Sequence, residues 1–161
     1  MDISLHDISA ANLLFGAGAF LALALPEGWE LAPGPARPEI AACHMRGERR
    51  WVVAGDAWYT VRHDGRQVAL ELAIAIRGRA RGRASAEQTR IGQHWADVRH
   101  WTRQRGFPRR WVVHFSEVRW RCEPTERNIT ITLSSRAPHA AFAEVLAALQ
   151  GVKCHGDGMS G

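Results

Sequence analysis

The chain lacks most of the features by which a reaction or a covalent framework is recognised in a sequence. Its 161 residues contain three cysteines, Cys43, Cys122 and Cys154, and no Cys-x-x-Cys pair. An odd cysteine count argues against a complete disulfide framework, and covalent haem attachment normally needs Cys-x-x-Cys-His. The sequence also lacks the Gly-x-Ser-x-Gly of serine hydrolases, a Walker-type loop and a complete Gly-x-Gly-x-x-Gly. We therefore expect a protein that is not an enzyme and that needs no cofactor.

The start of the chain lacks the features of a targeting segment. The first seven residues carry Asp2 and Asp7 and no lysine or arginine, whereas a secretory signal begins with positive charge. The apolar run that follows is broken by glycines and stops at Pro26, well short of the ~20 residues that cross a membrane. Residues 20–25 are apolar on both faces, as in a strand covered on both sides. We expect an internal strand, a cytoplasmic location and no membrane insertion.

Positive charge is abundant, and almost all of it comes from arginine. Lys153 is the one lysine, the formal net charge is +5 and the isoelectric point is near 10.0. This balance permits nucleic acid or acidic partners without proving them. The length favours one domain over residues 1–161.

Turn and periodicity signals predict strands with a few short helices. Asp64-Gly65 is the strongest hairpin signal, and the strand 67–77 after it has large apolar residues at every second position. Short helices are predicted at 9–14 and, from a capping box, at 85–91, with a closing amphipathic helix at 138–149. Because strands and helices do not alternate regularly, the pattern favours an α+β fold with a mainly antiparallel sheet over a parallel one.

Two arginine-rich segments are candidate contacts for nucleic acid or an acidic partner. One is an Arg-Gly run and the other lies at the tip of a predicted hairpin, beside Trp101, Phe107 and Trp111. Arginine interleaved with aromatic residues suits single-stranded nucleic acid, although a solvated strand end explains the same pattern. The candidates are Arg77, Arg79, Arg81, Arg83, Arg103, Arg105, Arg109 and Arg110.

Cysteine and histidine give a second constellation. Cys43-His44, Cys154-His155 and Cys122 offer five groups of the kind that bind zinc, but their spacing matches no zinc motif. The alternatives are unrelated buried thiols, or a disulfide or thiol pair between Cys122 and Cys154, because one ends a long strand and the other follows the last helix. We assign no metal ligand from this pattern. Three further histidines stand on predicted strands and are expected to be structural unless they converge on a cleft: His94, His100 and His114.

The run of residues 20–29, which ends in Pro26-Glu27-Gly28-Trp29, resembles the opening of the PsbP-like superfamily. Gly92-Gln93-His94-Trp95-Ala96 resembles the segment that opens the second half of such domains, and the strand 128–133 and helix 138–149 resemble their closing pair. The resemblance implies an α-β-α sandwich around an antiparallel sheet. It also implies an accessory or binding protein without catalysis.

Three functional hypotheses follow. The first is a non-enzymatic accessory or protein-binding module with a protein partner. The second is an RNA- or ribosome-associated protein that uses the arginines at 77–83 and 103–110. The third is a protein that binds a metal through cysteine and histidine.

Overall fold

The structure is a computed structural model that describes residues 2–12, 16–33, 53–75 and 87–155. In these segments the chain forms nine strands, one short α-helix and a few 3-10 turns. The elements are β1 (Ile3–Asn12), β2 (Gly16–Pro26), β3 (Glu30–Pro33), β4 (Val53–His63), β5 (Arg66–Ala75), β6 (Glu87–Ile91), β7 (His94–Arg105), β8 (Trp111–Cys122), β9 (Arg127–Ser135) and α1 (Ala143–Ala148).

Seven of the strands form one antiparallel sheet in the order β3-β4-β5-β9-β8-β7-β6. It consists of two meanders, β3 to β5 and β6 to β9, and these join where β9 pairs with β5. Leu72 of β5 lies opposite Ile131 of β9 at this junction, and both side chains are buried. The strands β1 and β2 form a separate antiparallel hairpin.

One face of the large sheet is covered by the β1–β2 hairpin and by the C-terminal segment from residue 139 onwards. The hydrophobic core lies between these layers. The segment is tied to β2 by paired backbone hydrogen bonds, since Ala22 N–H donates to Lys153 O at 2.8 Å and Lys153 N–H to Ala22 O at 3.0 Å. Fully burying each large aliphatic side chain contributes about 1.5–3 kcal/mol. Those below 2% exposure are Ile8, Leu21, Leu23, Leu25, Leu70, Ile91, Ile129, Ile131, Leu133 and Leu149.

The hairpin signal and the opening strand are confirmed. The turn between β4 and β5 is Asp64-Gly65, and both residues have positive φ, 47° and 74°, as a tight turn between antiparallel strands requires. The apolar run belongs to β2, where Leu21, Leu23 and Leu25 are buried together with the alanines between them.

The expected α-β-α sandwich is wrong. The described residues are mostly in strands, with a seven-stranded antiparallel sheet, a two-stranded one and a single short α-helix. The segments 9–12 and 87–91, expected to be helical, lie in β1 and β6. The closing helix is reduced to α1 with 3-10 turns at His139–Phe142 and Leu149–Gly151. A mainly antiparallel β fold, in which the described part of the chain covers one face of the large sheet, therefore replaces the sandwich.

The physical reason for these errors is the shortness of the segments. An isolated helix of five or six residues is unstable, because nucleation fixes several residues for one hydrogen bond. The edge strand β6 instead pairs with β7 along its whole length, from Glu87 opposite Val98 to Ile91 opposite His94. Among the described residues, no helix is long and apolar enough to span a membrane.

Candidate metal centre

The alternation of side chains along β7 and β8 brings His94 and Cys122 to one end of the covered face. Ala96 of β7 lies opposite Trp120 of β8, and both side chains point into the core. His94 lies two residues before Ala96, and Cys122 lies two residues after Trp120. Because the strands are antiparallel and side chains alternate, the same register places His94 opposite Cys122 on the same face. A histidine and a buried cysteine thus become neighbours through sheet pairing alone.

The C-terminal segment supplies two further groups at the same place. Gly92, in the turn between β6 and β7, donates its N–H to Gln150 O at 2.7 Å. Gly92 has φ +56°, and a Cβ atom there would stand 3.0 Å from Val152 O. Glycine permits this conformation and this close approach. The contact holds Cys154 and His155 against the end of the sheet that carries His94.

Four ligand atoms meet there, all within 4.8 Å of one another. His94 Nε2 lies 3.4 Å from His155 Nδ1 and 3.3 Å from Cys154 Sγ. His155 Nδ1 lies 3.3 Å from Cys122 Sγ and 3.5 Å from Cys154 Sγ. Both cysteines are buried and both histidines are partly buried. The arrangement is a compact Cys2His2 cluster.

Burial controls the protonation of the cluster. It raises the pKa of the Cys154 thiol to about 12, with a further increase from the hydrogen bond to Cys122. Burial also lowers the pKa of His94, assisted by the neighbouring His155, while Glu123 acts in the opposite direction. Without a cation, the cluster therefore favours a neutral thiol and a neutral imidazole.

Trp120 adds a donor beside the sulfur atoms. Its indole nitrogen is buried and has no hydrogen-bond partner among the described residues. Trp120 also lowers the pKa of Cys154, against the larger effect of burial, so its N–H acts on the thiolate form of that side chain. A buried donor near a sulfur atom favours a negatively charged sulfur.

The sequence groups three of these four residues as candidate metal ligands, and it groups His94 with two other strand histidines. Cys122, Cys154 and His155 come together, whereas Cys43 and His44 lie outside the described residues. Cys122 and Cys154 are free thiols, not a disulfide, and Cys122 Sγ also lies 3.9 Å from Cys154 O. His94 was separated from them because its role depends on strand register. The sequence feature that could have identified His94 as a ligand is its position two residues before Ala96, which puts it on the core face of β7.

The other two histidines of that set form a different group. His139 Nε2 donates to Phe115 O at 3.0 Å, and its ring stands edge-on to those of His100 and His114, at 5.2 and 5.0 Å between centroids. His100 Nδ1 lies 2.8 Å from Ser116 Oγ, which is fully buried. His114 Nδ1 is buried and has no hydrogen-bond partner among the described residues. The structural role expected of these strand histidines stays a prediction.

The arginine candidates lie elsewhere. Arg103 and Arg105 are on β7, and Arg109 and Arg110 are in the loop before β8; all four are exposed. The other four, Arg77, Arg79, Arg81 and Arg83, lie outside the described residues.

No protein-family model, no curated protein and no solved structure matches this chain. The resemblance to the PsbP-like superfamily stays a prediction, although the sandwich that it implied is overturned. Function must therefore be inferred from the side chains themselves.

Proposed function

We propose that the protein is a zinc-binding domain whose ligands are His94, Cys122, Cys154 and His155. The observation that carries the proposal is the convergence of four ligand atoms within 4.8 Å from β7, β8 and the C-terminal segment. We therefore place the metal-binding hypothesis before the protein-binding one, for which the described residues offer no comparable group of side chains.

The distances fit a tetrahedral ion. With about 2.3 Å to sulfur and about 2.0–2.1 Å to nitrogen, tetrahedral zinc sets its two nitrogens about 3.3–3.4 Å apart. The same geometry sets each sulfur–nitrogen distance at about 3.5–3.6 Å. His94 Nε2 and His155 Nδ1 are 3.4 Å apart, and three of the four sulfur–nitrogen distances are 3.3, 3.3 and 3.5 Å. Each agrees to within a few tenths of an ångström.

The donor set favours zinc over harder cations. Two thiolates and two imidazoles form a soft, nitrogen- and sulfur-based site, whereas magnesium and calcium take oxygen ligands. Two thiolates also neutralise the charge of a divalent ion, which reduces the penalty for burying it between Cys122 and Cys154. The buried indole N–H of Trp120, which has no partner among the described residues and lowers the pKa of Cys154, would be available to donate to a zinc-bound sulfur.

Four protein ligands indicate a structural site. Catalytic zinc keeps one coordination position for water or substrate, while structural zinc is closed by four side chains. Here the ion would join the end of the β7–β8 pair to the segment that carries Cys154 and His155. Because that segment covers the core through Val145 and Leu149, zinc would stabilise the layer packed on the sheet.

The test is the metal content of protein purified without an affinity tag, measured by elemental analysis. We expect one zinc ion per chain, and we expect Cys122→Ser and His94→Ala each to lose most of it. The matched controls are Cys43→Ser, which changes the cysteine outside the described residues, and His100→Ala, which changes a histidine outside the cluster. Both controls should retain one zinc per chain.

Substitution with cobalt(II) gives a second readout. Tetrahedral cobalt bound by two thiolates has intense visible bands and a sulfur-to-metal charge-transfer band, which His94→Ala should weaken. Protein that contains no zinc and fails to bind zinc or cobalt on titration overturns the proposal. One iron or copper(I) ion per chain would support the metal site but contradict its assignment to zinc.

A further inference from the structure

The face of the large sheet that no other described segment covers carries a ridge of aromatic and arginine side chains on β7 and β8. Side chains alternate along each strand, so the residues on this face come from every second position. On β7 they include Arg99, Trp101, Arg103 and Arg105, which pair with Glu117, Phe115, Val113 and Trp111 on β8. We call these eight residues the aromatic ridge.

The rings of the aromatic ridge are stacked between guanidinium groups. Trp101 and Phe115 are parallel, with centroids 5.1 Å apart and 4° between their planes. Arg99 lies 4.8 Å from the Trp101 centroid, and Arg103 lies 5.8 Å from the Phe115 centroid. The ring faces are thereby covered by each other and by the arginines, so the flat surfaces that the stack presents are the guanidinium planes of Arg99 and Arg103, on which nucleobases stack as they do on aromatic rings.

Positive charge is in excess along the ridge. The acidic member, Glu117, is largely buried and already pairs with Arg99 at 3.7 Å and Arg119 at 2.9 Å. No carboxylate among the described residues pairs with the arginines that follow, which are all exposed. These are Arg103, Arg105, Arg109 and Arg110.

A shallow trough of about 370 Å³ runs beside the ridge on the same face. Its walls include Ala69, Val113 and Ser134, and Gln67 and Arg136 contribute polar groups. Arg136 in turn lies 4.6 Å from the centroid of Trp111. The trough therefore supplies room and hydrogen-bonding groups next to the stacking surfaces.

We propose that the aromatic ridge and this trough bind single-stranded nucleic acid. Unpaired bases would stack on the guanidinium planes that the aromatic rings hold in place, while the arginines without a carboxylate partner contact phosphates. In a duplex the bases are stacked inside the helix, so only the sugar-phosphate backbone can contact the aromatic ridge. The site is independent of the zinc cluster, because it occupies the opposite face of the sheet and the other end of β7 and β8.

The experiment measures fluorescence anisotropy of a labelled oligouridylate and a labelled oligodeoxythymidylate, each of about 12 nucleotides, with zinc-loaded protein. We expect both to bind more tightly than a duplex of the same length. The logarithm of affinity should fall linearly with the logarithm of salt concentration, by about 0.7 for each phosphate contact. The comparison of the two oligonucleotides shows whether the ribose hydroxyl contributes.

Three variants test the ridge itself. Arg103→Ala should weaken binding and lower the salt slope by about 0.7. Trp101→Ala should weaken binding about 5- to 150-fold with the salt slope unchanged, and Trp101→Phe should recover most of the affinity. The matched control is Arg66→Ala, which removes an arginine that lies over Trp29, away from the ridge, and it should change neither quantity. Circular dichroism checks that each variant is folded.

Several outcomes overturn the proposal. One is the absence of binding at about 50 mM salt, and another is equal binding by the Trp101→Ala, Arg103→Ala and unsubstituted proteins. Equal competition by polyglutamate would show a general site for acidic chains. Binding to vesicles of anionic lipid without binding to oligonucleotides would instead assign the exposed Phe107 and Trp111 to a lipid surface.

Discussion

Cys154 Sγ lies 3.3 Å from His94 Nε2, although sixty residues separate them along the chain. The contact joins the C-terminal segment to the first residue of β7. A ligand pair that distant in sequence does not exist in the unfolded chain, so the free energy of metal binding at this cluster is coupled to folding. Zinc would therefore act on the stability of the whole covered face.

Chelation should lower the thermal stability of the protein. Zinc at about a hundred times its dissociation constant stabilises the folded state by about 2.7 kcal/mol. For a domain of this size, each kcal/mol corresponds to about 2–4 °C in the melting temperature, so we expect a decrease of about 5–11 °C on chelation. Calorimetry measures it. His94→Ala should abolish the difference between zinc-loaded and chelated protein, and His100→Ala should preserve it.

Zinc affinity should increase with pH through the neutral range. Because burial raises the pKa of Cys154 to about 12, this thiol is protonated at pH 7 without metal, and zinc must displace its proton. The pKa of His94 is lowered by burial and by His155, so its imidazole is already neutral there. We expect the apparent association constant to rise at least about tenfold per pH unit between about pH 6 and 8. Titration against a competing chelator measures it, and a pH-independent affinity would contradict the expectation.

Zinc should protect two cysteines from alkylation. A metal-bound thiolate is a poor nucleophile towards maleimides, so peptides containing Cys122 and Cys154 should remain unmodified in zinc-loaded protein and react after chelation and unfolding. The two sulfurs lie within 4.8 Å of each other, so mild oxidation of chelated protein should join them in a disulfide. Peptide mass spectrometry detects both outcomes. Equal alkylation with and without zinc would exclude these residues as ligands.

Local signals predicted the parts of the fold that depend on turns and alternation. Asp64-Gly65 specifies its turn through residues that accept positive φ, and the apolar run before Pro26 specifies a buried strand. The segment that begins at Glu87 carried a capping-box signal for a helix, yet forms β6, because pairing with β7 outweighs the propensity of five residues.

The candidate site was harder to predict, because its members are brought together by register and by a long connection. The pair Cys154-His155 is visible in the sequence as two possible ligands, but His94 joins them only through the pairing of Ala96 with Trp120. The sequence predicted that Cys122 and Cys154 lie close together as a thiol pair, but it did not predict that two imidazoles lie beside them. The residue types therefore indicated which side chains could bind a metal, but only the fold shows that these four lie together.

The last prediction concerns Gly92, whose φ is +56°. In Gly92→Ala the new Cβ would stand 3.0 Å from Val152 O and adopt a backbone conformation that disfavours side chains. We expect a loss of about 1–3 kcal/mol in the free energy of unfolding and weaker zinc binding, because the C-terminal ligands are displaced. The control is Gly65→Ala, at φ +74° with nothing within 4 Å, which should lose stability through its backbone alone and keep its zinc affinity. Urea denaturation and zinc titration measure the two effects, and equal zinc affinity in both variants would contradict the role assigned to Gly92.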